Sequence, residues 1–322
     1  MANVKKLKLN PKKVRSRKFD SLVSVVLPTF NRARLLSRAI KSVLSQTYSN
    51  FELIVVDDCS IDCTESVAKG FHDDRIRYVR HERKKGAAIA RNNGIIAAKG
   101  KYIAFQDSDD EWLPTKLEKQ INAFNSAPRE LGVVYNSFWI IDHNKRTIVP
   151  SSSIKKTEGK IHDALLDMNF ISTPAAIVRK ECFKKVGMFA DIPRFQDWEL
   201  WIRISKYYSF KHLREPLVNQ YRQLDSISRH TDVLISARKY ILSKYFNEIS
   251  EKPKLLSKHY SDIAIYLCSK GDTNEGRKYF FKAMSAYPYN VKLLLWTISS
   301  IFGSTVYNRY STIYYSLKTT RN

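Results

Sequence analysis

The first hundred residues alternate between short apolar runs and longer amphipathic segments. Short apolar runs that end at Pro, Gly or Asp predict buried strands, whereas apolar residues spaced three and four apart predict helices. Strands are predicted at Leu22–Leu27, Phe51–Val56, Ile76–Val79 and Tyr102–Phe105, and helices at Arg32–Tyr48, Thr64–Phe71 and Ala87–Ala98. Strands that alternate with helices form right-handed βαβ units, so this pattern predicts a mainly parallel sheet flanked by helices.

The rest of the chain is less regular and then becomes helical. Further strands are predicted at Gly132–Tyr135, Trp139–Asp142 and Pro174–Val178, a helix at Asp197–Tyr207, and a helix pair of the tetratricopeptide type at Asp262–Pro288. Long helices dominate from Val233 onward. The pattern predicts three parts: a basic arm at 1–20, an α/β domain at 21–230 and a helical C-terminal extension at 231–322.

Polar residues stand directly after three of the predicted strands. Pro28 and Thr29 end the first strand, Asp57 and Asp58 the second, and the segment Asp107–Asp110 the fourth. Because the carboxyl ends of parallel strands meet at one edge of a sheet, these groups should converge on one crevice. Crowded carboxylates repel one another unless a cation lies among them, and their oxygens suit Mg²⁺ or Mn²⁺. Taken alone, the acidic segment is better explained as a helix cap with a solvated first turn, and Asp57 and Asp58 as a plain turn.

The net charge and the apolar content of the chain indicate which kinds of molecule it can bind. The chain of 322 residues has a formal charge of +24, from 55 basic and 31 acidic residues, and 43% of its residues are hydrophobic. This surplus attracts anions, which include nucleotides, nucleic acid and anionic membranes. The first eighteen residues are basic without any acid, so this arm is either solvated or in contact with phospholipid. Leu293–Tyr307 is too short and too polar for a confident membrane span, and is either a buried helix or an interfacial segment.

The cysteines and the absence of several known motifs argue against a disulfide-bonded protein and against three common classes of enzyme fold. The four cysteines form no C-x-x-C pair, and no apolar leader stands near the start, so we expect free thiols, no signal peptide and a cytoplasmic location. The sequence has no G-x-G-x-x-G after its first strand, no phosphate-binding P-loop motif and no G-x-S-x-G. These absences argue against a dinucleotide-binding fold, a P-loop nucleotidase and the common hydrolase elbow.

Five segments, taken together and in order, resemble the inverting family 2 glycosyltransferases, which have a GT-A fold. They are SVVLPTFNR at 24–32, SQTYSNFELIVVDDCSIDCT at 45–64, GAAIARNNGI at 86–95, GKYIAFQDSDDEWLPTKLE at 100–118 and QDWELWIRI at 196–204. The resemblance implies a GT-A (Rossmann-like) mixed, mainly parallel sheet. It also implies transfer of a hexosyl or hexosaminyl group from a nucleotide-diphosphate donor, with a UDP-sugar expected, to an acceptor hydroxyl.

By this resemblance, Asp109 would ligate a divalent cation, Mn²⁺ or Mg²⁺, that balances the charge of the departing diphosphate. Asp107, followed by Ser108, would contact the ribose or assist the metal, and Asp110 is expected to be a helix cap. The nucleoside would lie against Pro28, Thr29 and Asn31 at the first strand. Asp58 would accept a hydrogen bond from the uracil N3–H, Asp57 would bind beside it or orient the loop, and Arg91 would point towards the uracil or the diphosphate.

Inversion needs a base that takes the acceptor proton on the face opposite the diphosphate. The resemblance assigns this role to Asp197, where the family usually has a Glu-Asp pair and this chain has Gln196-Asp197. The loss of one negative neighbour should leave the pKa of Asp197 less raised than in that pair. Trp198 and Trp201 are expected in the core, with sugar stacking as the alternative. His230 would be a further metal ligand or diphosphate contact, or else a surface residue.

The sequence therefore favours a glycosyltransferase of surface polysaccharide or glycolipid synthesis, acting on a glycan or lipid-linked acceptor. Alternative functions are a sugar-nucleotide nucleotidyltransferase, a basic nucleic-acid-binding protein and a non-catalytic member of the family. Convergent carboxylates would repel a nucleic acid, so no nucleic-acid partner is expected. The aromatic and basic tail indicates either a peripheral position at an anionic membrane, on its inner face, or a helix packed in a homo-oligomer.

Overall fold

The computed structural model describes residues 21–143, 145–222, 231–303, 305, 307 and 309. The strands are β1 (Val23–Thr29), β2 (Phe51–Asp57), β3 (Ile76–Arg80), β4 (Tyr102–Phe105), β5 (Glu111–Trp112), β6 (Leu131–Asp142), β7 (Lys145–Val149), β8 (Ala176–Arg179) and β9 (Ser209–Tyr221). The helices before residue 230 are α1 (Ala33–Leu44), α2 (Thr64–Lys69), α3 (Ala87–Ala97), α4 (Lys116–Asn125), α5 (His162–Asp167), α6 (Lys180–Val186) and α7 (Gln196–Ser205). Those after it are α8 (Thr231–Lys244), α9 (Phe246–Ser250), α10 (Pro253–Lys270), α11 (Thr273–Ala286) and α12 (Val291–Ile301).

The strands form one mixed sheet in the order β3-β2-β1-β4-β8-β6-β9-β5, with β7 paired to β6. β1 is parallel to both β2 and β4, and β2 is parallel to β3, which confirms the predicted βαβ half. β8 is antiparallel to its neighbours β4 and β6. Because β1, β2 and β4 are parallel neighbours, their carboxyl ends lie at one edge of the sheet, as the sequence predicted.

Apolar side chains fill both faces of this sheet. Leu36, Ile40 and Val43 of α1 pack on one face against the inward side chains of β1 and β2. On the other face, α3 lies close to β1: a Cβ on Gly94 would stand 2.3 Å from a methyl carbon of Val26. Only glycine permits this approach, so the helix that carries Arg91 is held directly against the strand that ends at Thr29.

The second half of the sheet differs from the sequence prediction in several places: β5 and β7 were not predicted, and the strand predicted at Pro174–Val178 is observed as β8, from Ala176 to Arg179. Gly132–Tyr135 and Trp139–Asp142 are parts of the one strand β6, because the polar residues between them are buried and hydrogen-bonded. Asn136 accepts a bond from Gln120 Nε2 at 3.0 Å, and Ser137 Oγ bonds to His212 Nε2 at 2.9 Å. β9 was not predicted, since its pairing with β6 shifts register three times and no period-2 pattern survives.

The helices after residue 230 pack against the α/β part and against one another. Ile235, Ile241, Tyr245 and Ile263 belong to the same apolar cluster as Trp198 of α7. The predicted helix pair is present as α10 and α11, with Gly271 at φ +104° in the turn between them. None of the helices among the described residues combines the length and apolarity that crossing a membrane requires.

Candidate functional site

A cleft of about 810 Å³ opens where the segment after β4 faces the first turn of α7. Arg91, Asp107, Asp109 and Asp197, four of the residues singled out from the sequence, line it together. Its other walls are formed by residues from β6, β7, β9 and the segments before η1 (Thr173–Ala175) and α7, among them Phe138, Ile140, Val149, Asn169, Phe170, Arg194, Phe195, Tyr221 and Arg222. The cleft thus joins the predicted phosphate side to the predicted base.

Arg91 bridges the two sides of the cleft. Its Nη2 donates to Asp107 Oδ1 at 2.7 Å and its Nη1 donates to Gln196 Oε1 at 3.1 Å. Gln196 is held in turn, because its Nε2 donates to the carbonyl of Ile192 at 2.7 Å. The planar guanidinium fork suits such a two-sided contact. Position 196, whose role the sequence left open, therefore orients the arginine beside the expected base.

Asp107 and Asp109 place two carboxylates at the mouth of the cleft. Burial and the charge of Asp107 raise the pKa of Asp109, against the opposing charges of Arg32 and Arg38. Among the described residues, no group of three or more His, Cys, Asp or Glu side chains is arranged as a metal site. Two crowded carboxylates are chemically suited to a hard cation whose remaining ligands come from phosphate and water.

Asp110 has a different role from the helix cap expected for it. α4 begins only at Lys116, and Asp110 is buried, where it accepts from Gln220 Nε2 at 2.9 Å and from the backbone N–H of Tyr221 at 3.2 Å. Burial, followed by the charges of Asp107 and Asp109, raises its pKa well above the usual range. Asp110 therefore fastens the end of β9 to the acidic segment.

Asp197 lies in the first turn of α7, where burial raises the pKa of its carboxyl. Hydrogen bonds from the backbone of Trp198 and from the side chain of Asn169, together with the charge of Arg91, oppose this rise. The bond from the Trp198 N–H measures 2.7 Å. A carboxylate whose pKa is raised towards neutrality is a stronger proton acceptor than an ordinary aspartate.

The residues assigned to the nucleoside lie in a second group, at the carboxyl ends of β1 and β2. Asp58 is buried and accepts from the backbone N–H groups of Lys85 and Gly86, each at 2.7 Å, and contacts His81 Nδ1 at 2.8 Å. These bonds attach the segment before α3 to β2. A carboxylate offers about four acceptor positions, so one remains for a ligand donor.

The neighbours of Asp58 are also engaged in loop contacts. Asp57 accepts from Ser60 N at 2.9 Å, from Ser60 Oγ at 2.6 Å and from the Tyr78 hydroxyl, which ties it to the loop after β2. Asn31, at φ +50°, accepts from the N–H of Ile61 at 2.9 Å. Pro28 and Thr29 are buried, and the Thr29 Oγ1 has no hydrogen-bond partner in the part of the chain described.

Three other sequence expectations have plain outcomes. Trp198 and Trp201 are fully buried, and their indole N–H groups donate to the carbonyls of Leu165 and Ile171, so both are core residues. Ser108 is buried and is not part of the cleft lining. His230, named as a metal ligand, lies outside the described residues.

Several contributors were missed by the sequence reasoning. Arg38 donates through Nη2 to the Asp109 carbonyl, and its guanidinium lies 3.9 Å above the Tyr221 ring. Asn169 and Gln220 contact Asp197 and Asp110. No sequence signal identified them: Arg38 is one of three basic residues in α1, and Asn169 and Gln220 belong to no recognisable motif.

Comparison with known proteins assigns the family. The sequence profile of Glycosyl transferase family 2 matches residues 24–187, about half of the chain. The chain belongs to this family. A putative teichuronic acid biosynthesis glycosyltransferase of Bacillus subtilis, TuaG, is 44% identical over 187 residues, which are 58% of this chain and 72% of TuaG. The glucosyltransferase WfgD of Escherichia coli, described as UDP-Glc:alpha-D-GlcNAc-diphosphoundecaprenol beta-1,3-glucosyltransferase, is 43% identical over 125 residues, 39% of this chain and 49% of WfgD.

Solved structures support the fold of this family 2 member. TarS residues 1-349 of S. aureus, solved in complex with UDP-GlcNAc, aligns over 90% of this chain and 91% of its own, with a TM-score of 0.57 and 18% identity. This likeness confirms the predicted fold class. The chain spans about half the length of WfgD, so activity on particular donors and acceptors is a matter of proposal.

Proposed function

We propose that this family 2 glycosyltransferase moves a hexosyl or hexosaminyl group from a UDP-sugar to an acceptor hydroxyl, with inversion and with the help of a divalent cation. The observation that carries the proposal is the Arg91 bridge, which joins Asp107 to the segment that bears Asp197 inside one cleft. An inverting displacement needs a charged site for the diphosphate and a base across the sugar from it. The cleft contains candidates for both.

The donor would lie along the edge formed by β1, β2 and β4. The uridine would lie beside Thr29 and Asn31, where the buried Thr29 hydroxyl oxygen has no hydrogen-bond partner among the described residues and is available to a ligand. Asp58 keeps an acceptor position for the uracil N3–H, and its bonds to Lys85 and Gly86 hold it in place. The UDP-glucose named for WfgD supports uridine as the nucleoside.

The diphosphate would lie between Arg91 and the acidic segment. A divalent cation held by Asp109, with Asp107 beside it, would supply the counter-charge for the departing diphosphate. Arg91 would orient the phosphate oxygens from the opposite side. Asp197 would take the proton from the acceptor hydroxyl as that oxygen attacks the anomeric carbon, and its raised pKa suits that step.

The acceptor would occupy the half of the cleft lined by Phe138, Ile140, Val149 and Tyr221. Its chemical class is proposed from the relatives: the names of TuaG and WfgD refer to teichuronic acid and to a lipid-linked sugar diphosphate. We therefore propose a growing surface glycan or a lipid-linked saccharide as the acceptor, with transfer at the cytoplasmic side, where nucleotide sugars are made.

The test is release of UDP, GDP or dTDP from a panel of nucleotide sugars, in Mn²⁺, in Mg²⁺ and in EDTA. Slow, cation-dependent release of UDP from one donor is expected, and NMR of a transferred product should show the inverted anomeric configuration. Asp109→Asn should abolish release, whereas Asp74→Asn, an exposed acid on the surface, should leave it unchanged.

Two results would contradict the proposal. Release from GDP- or dTDP-sugars alone would refute the uridine assignment. No release from any donor, together with no cation-dependent UDP binding by calorimetry, would identify a non-catalytic family member.

A further inference from the structure

The polarity of α12 is reversed relative to that of an ordinary surface helix. Five large apolar residues in and just after α12 are between 43% and 67% exposed: Leu294, Leu295, Ile298, Ile301 and Phe302. Their spacing of one, three, three and one positions places them on a single face. We call them the outward row. A surface helix normally turns such a face to the core and its polar residues to water.

The polar residues of α12 lie on its buried side instead. Thr297, Ser299 and Ser300 are at most 7% exposed, and their hydroxyls donate to carbonyls within the helix at 2.6–2.8 Å. Leu293 and Trp296 share this buried side, and Trp296 packs on Tyr307 with ring centroids 5.3 Å apart. The hydroxyls are thus satisfied without water, while the outward row has no cover among the described residues. This arrangement suits a helix whose outer face meets an apolar medium.

The charged residues that follow Glu275 in the sequence have one sign. No Asp or Glu follows Glu275 in the sequence, whereas seven basic residues do: Arg277, Lys278, Lys282, Lys292, Arg309, Lys318 and Arg321. A second copy of this C-terminal segment would add basic residues to basic residues, which disfavours self-association. An anionic lipid surface would offer both an apolar layer and the opposite charge.

We propose that α12 is a membrane-docking helix that lies in the plane of an anionic bilayer, with the outward row in the headgroup–acyl boundary. α12 has 11 residues, so it lies on the bilayer rather than crossing it. Apolar insertion would supply the attachment, and the basic residues after Glu275 would select anionic lipid. An enzyme held in this way would be concentrated at the membrane that carries the lipid-linked acceptors proposed above.

Flotation of the full chain with vesicles tests the proposal. Phosphatidylcholine vesicles are compared with vesicles in which about one third of the lipid is phosphatidylglycerol. We expect binding to the anionic vesicles, and its loss between about 0.15 M and about 1 M NaCl, because salt screens the attraction. The variant Leu295→Gln with Ile298→Gln should lower the partition coefficient about tenfold, since two apolar contacts with the boundary are lost.

The matched control is Ile96→Gln with Ile148→Gln, two exposed apolar residues remote in sequence from α12, which should bind like the unchanged chain. Ile301→Gln with Phe302→Gln repeats the test at the other end of the row. UDP release should be the same in all three variants, which separates docking from catalysis.

The proposal is overturned if the unchanged chain fails to float with anionic vesicles, or if both outward-row variants float as well as the control. Light scattering that shows a dimer in the unchanged chain and a monomer in the outward-row variants, without vesicle binding, would identify a second copy as the occupant.

Discussion

A buried carboxylate, Glu199, joins α7 to the helices that follow residue 230. Its side chain has no exposed surface, and it accepts from Arg203 Nε and Nη2, each at 2.8 Å, from Lys244 Nζ at 2.6 Å and from the Tyr245 hydroxyl at 3.0 Å. Burial alone would raise the pKa of Glu199, but the hydrogen bonds and charges of Arg203 and Lys244 outweigh it, so the pKa is lowered. The network therefore stabilises the ionised carboxylate.

The change Glu199→Gln removes the negative charge. It also places an NH₂ group, which cannot accept a hydrogen bond, among the donors Arg203, Lys244 and Tyr245. Breaking a buried ion pair on one side costs about 3–5 kcal/mol, because the remaining charges stay desolvated. We expect the free energy of unfolding at neutral pH to fall by that amount. The matched control is Glu248→Gln. Glu248 forms part-exposed ion pairs with Lys206 and with His162, and the loss of these pairs should cost at most about 1 kcal/mol.

Urea unfolding of both variants, followed by tryptophan fluorescence over a range of pH, measures these costs. A carboxyl whose folded pKa is lowered contributes stability above its unfolded pKa and loses it as pH falls through the folded pKa. The difference in free energy of unfolding between the unchanged chain and Glu199→Gln should thus be largest at neutral pH. It should shrink below about pH 4.3, the ordinary pKa of glutamate. A cost below about 1 kcal/mol at neutral pH, or a gap that widens in acid, would refute the reasoning.

Three further predictions concern the cleft and its supports. Gln196→Glu adds a negative neighbour to Asp197, so the acid limb of the pH profile of kcat should move to higher pH. Arg91→Lys cannot span both partners of the guanidinium, so kcat/KM for the donor should fall about tenfold or more. Gly94→Ala places a methyl group against Val26, so the chain should lose about 1–3 kcal/mol of stability in the same urea assay.

Each of these has a contrary outcome. If the acid limb of the kcat profile of Gln196→Glu stays in place or moves to lower pH, the charge at position 196 does not raise the pKa of Asp197. An Arg91→Lys enzyme with unchanged kcat/KM would show that the bridge is dispensable. The control for Gly94→Ala is Gly70→Ala, whose new methyl would meet only one carbonyl oxygen at 3.2 Å and another at 3.5 Å; equal costs at the two positions would argue against close packing of α3.

The parallel half of the fold could be predicted because its signals are local. Each apolar run of β1, β2 and β4 is bounded by its own Pro, Gly or Asp, and Ala87–Ala97 contains the small residues that allow α3 to approach the sheet. The mixed half could not be predicted in the same way. β9 pairs with β6 through three register shifts, and the pattern of each strand has meaning only against the other.

In the candidate site, too, residues in local motifs could be predicted, whereas contacts between distant parts of the chain could not. Motif residues such as Arg91, Asp107, Asp109 and Asp197 do line one cleft. Asp110 was predicted to be a helix cap because its partners, Gln220 and Tyr221, lie about 110 positions away in the chain. A local sequence pattern cannot predict a contact between residues so far apart.

The helices after residue 230 contact the residue next to the proposed base. His259 of α10 stacks on Trp198 with ring planes 10° apart, and its Nε2 donates to the Leu166 carbonyl at 2.9 Å. Burial lowers the pKa of His259, so it meets the indole as a neutral ring. The guanidinium of Arg238 lies 5.3 Å from the centre of the Trp198 ring and is paired with Asp262 at 2.6 Å. Since Trp198 directly follows Asp197, these contacts connect α8 and α10 to the residue beside the proposed base. Changes in α8 and α10 should therefore alter kcat as well as stability.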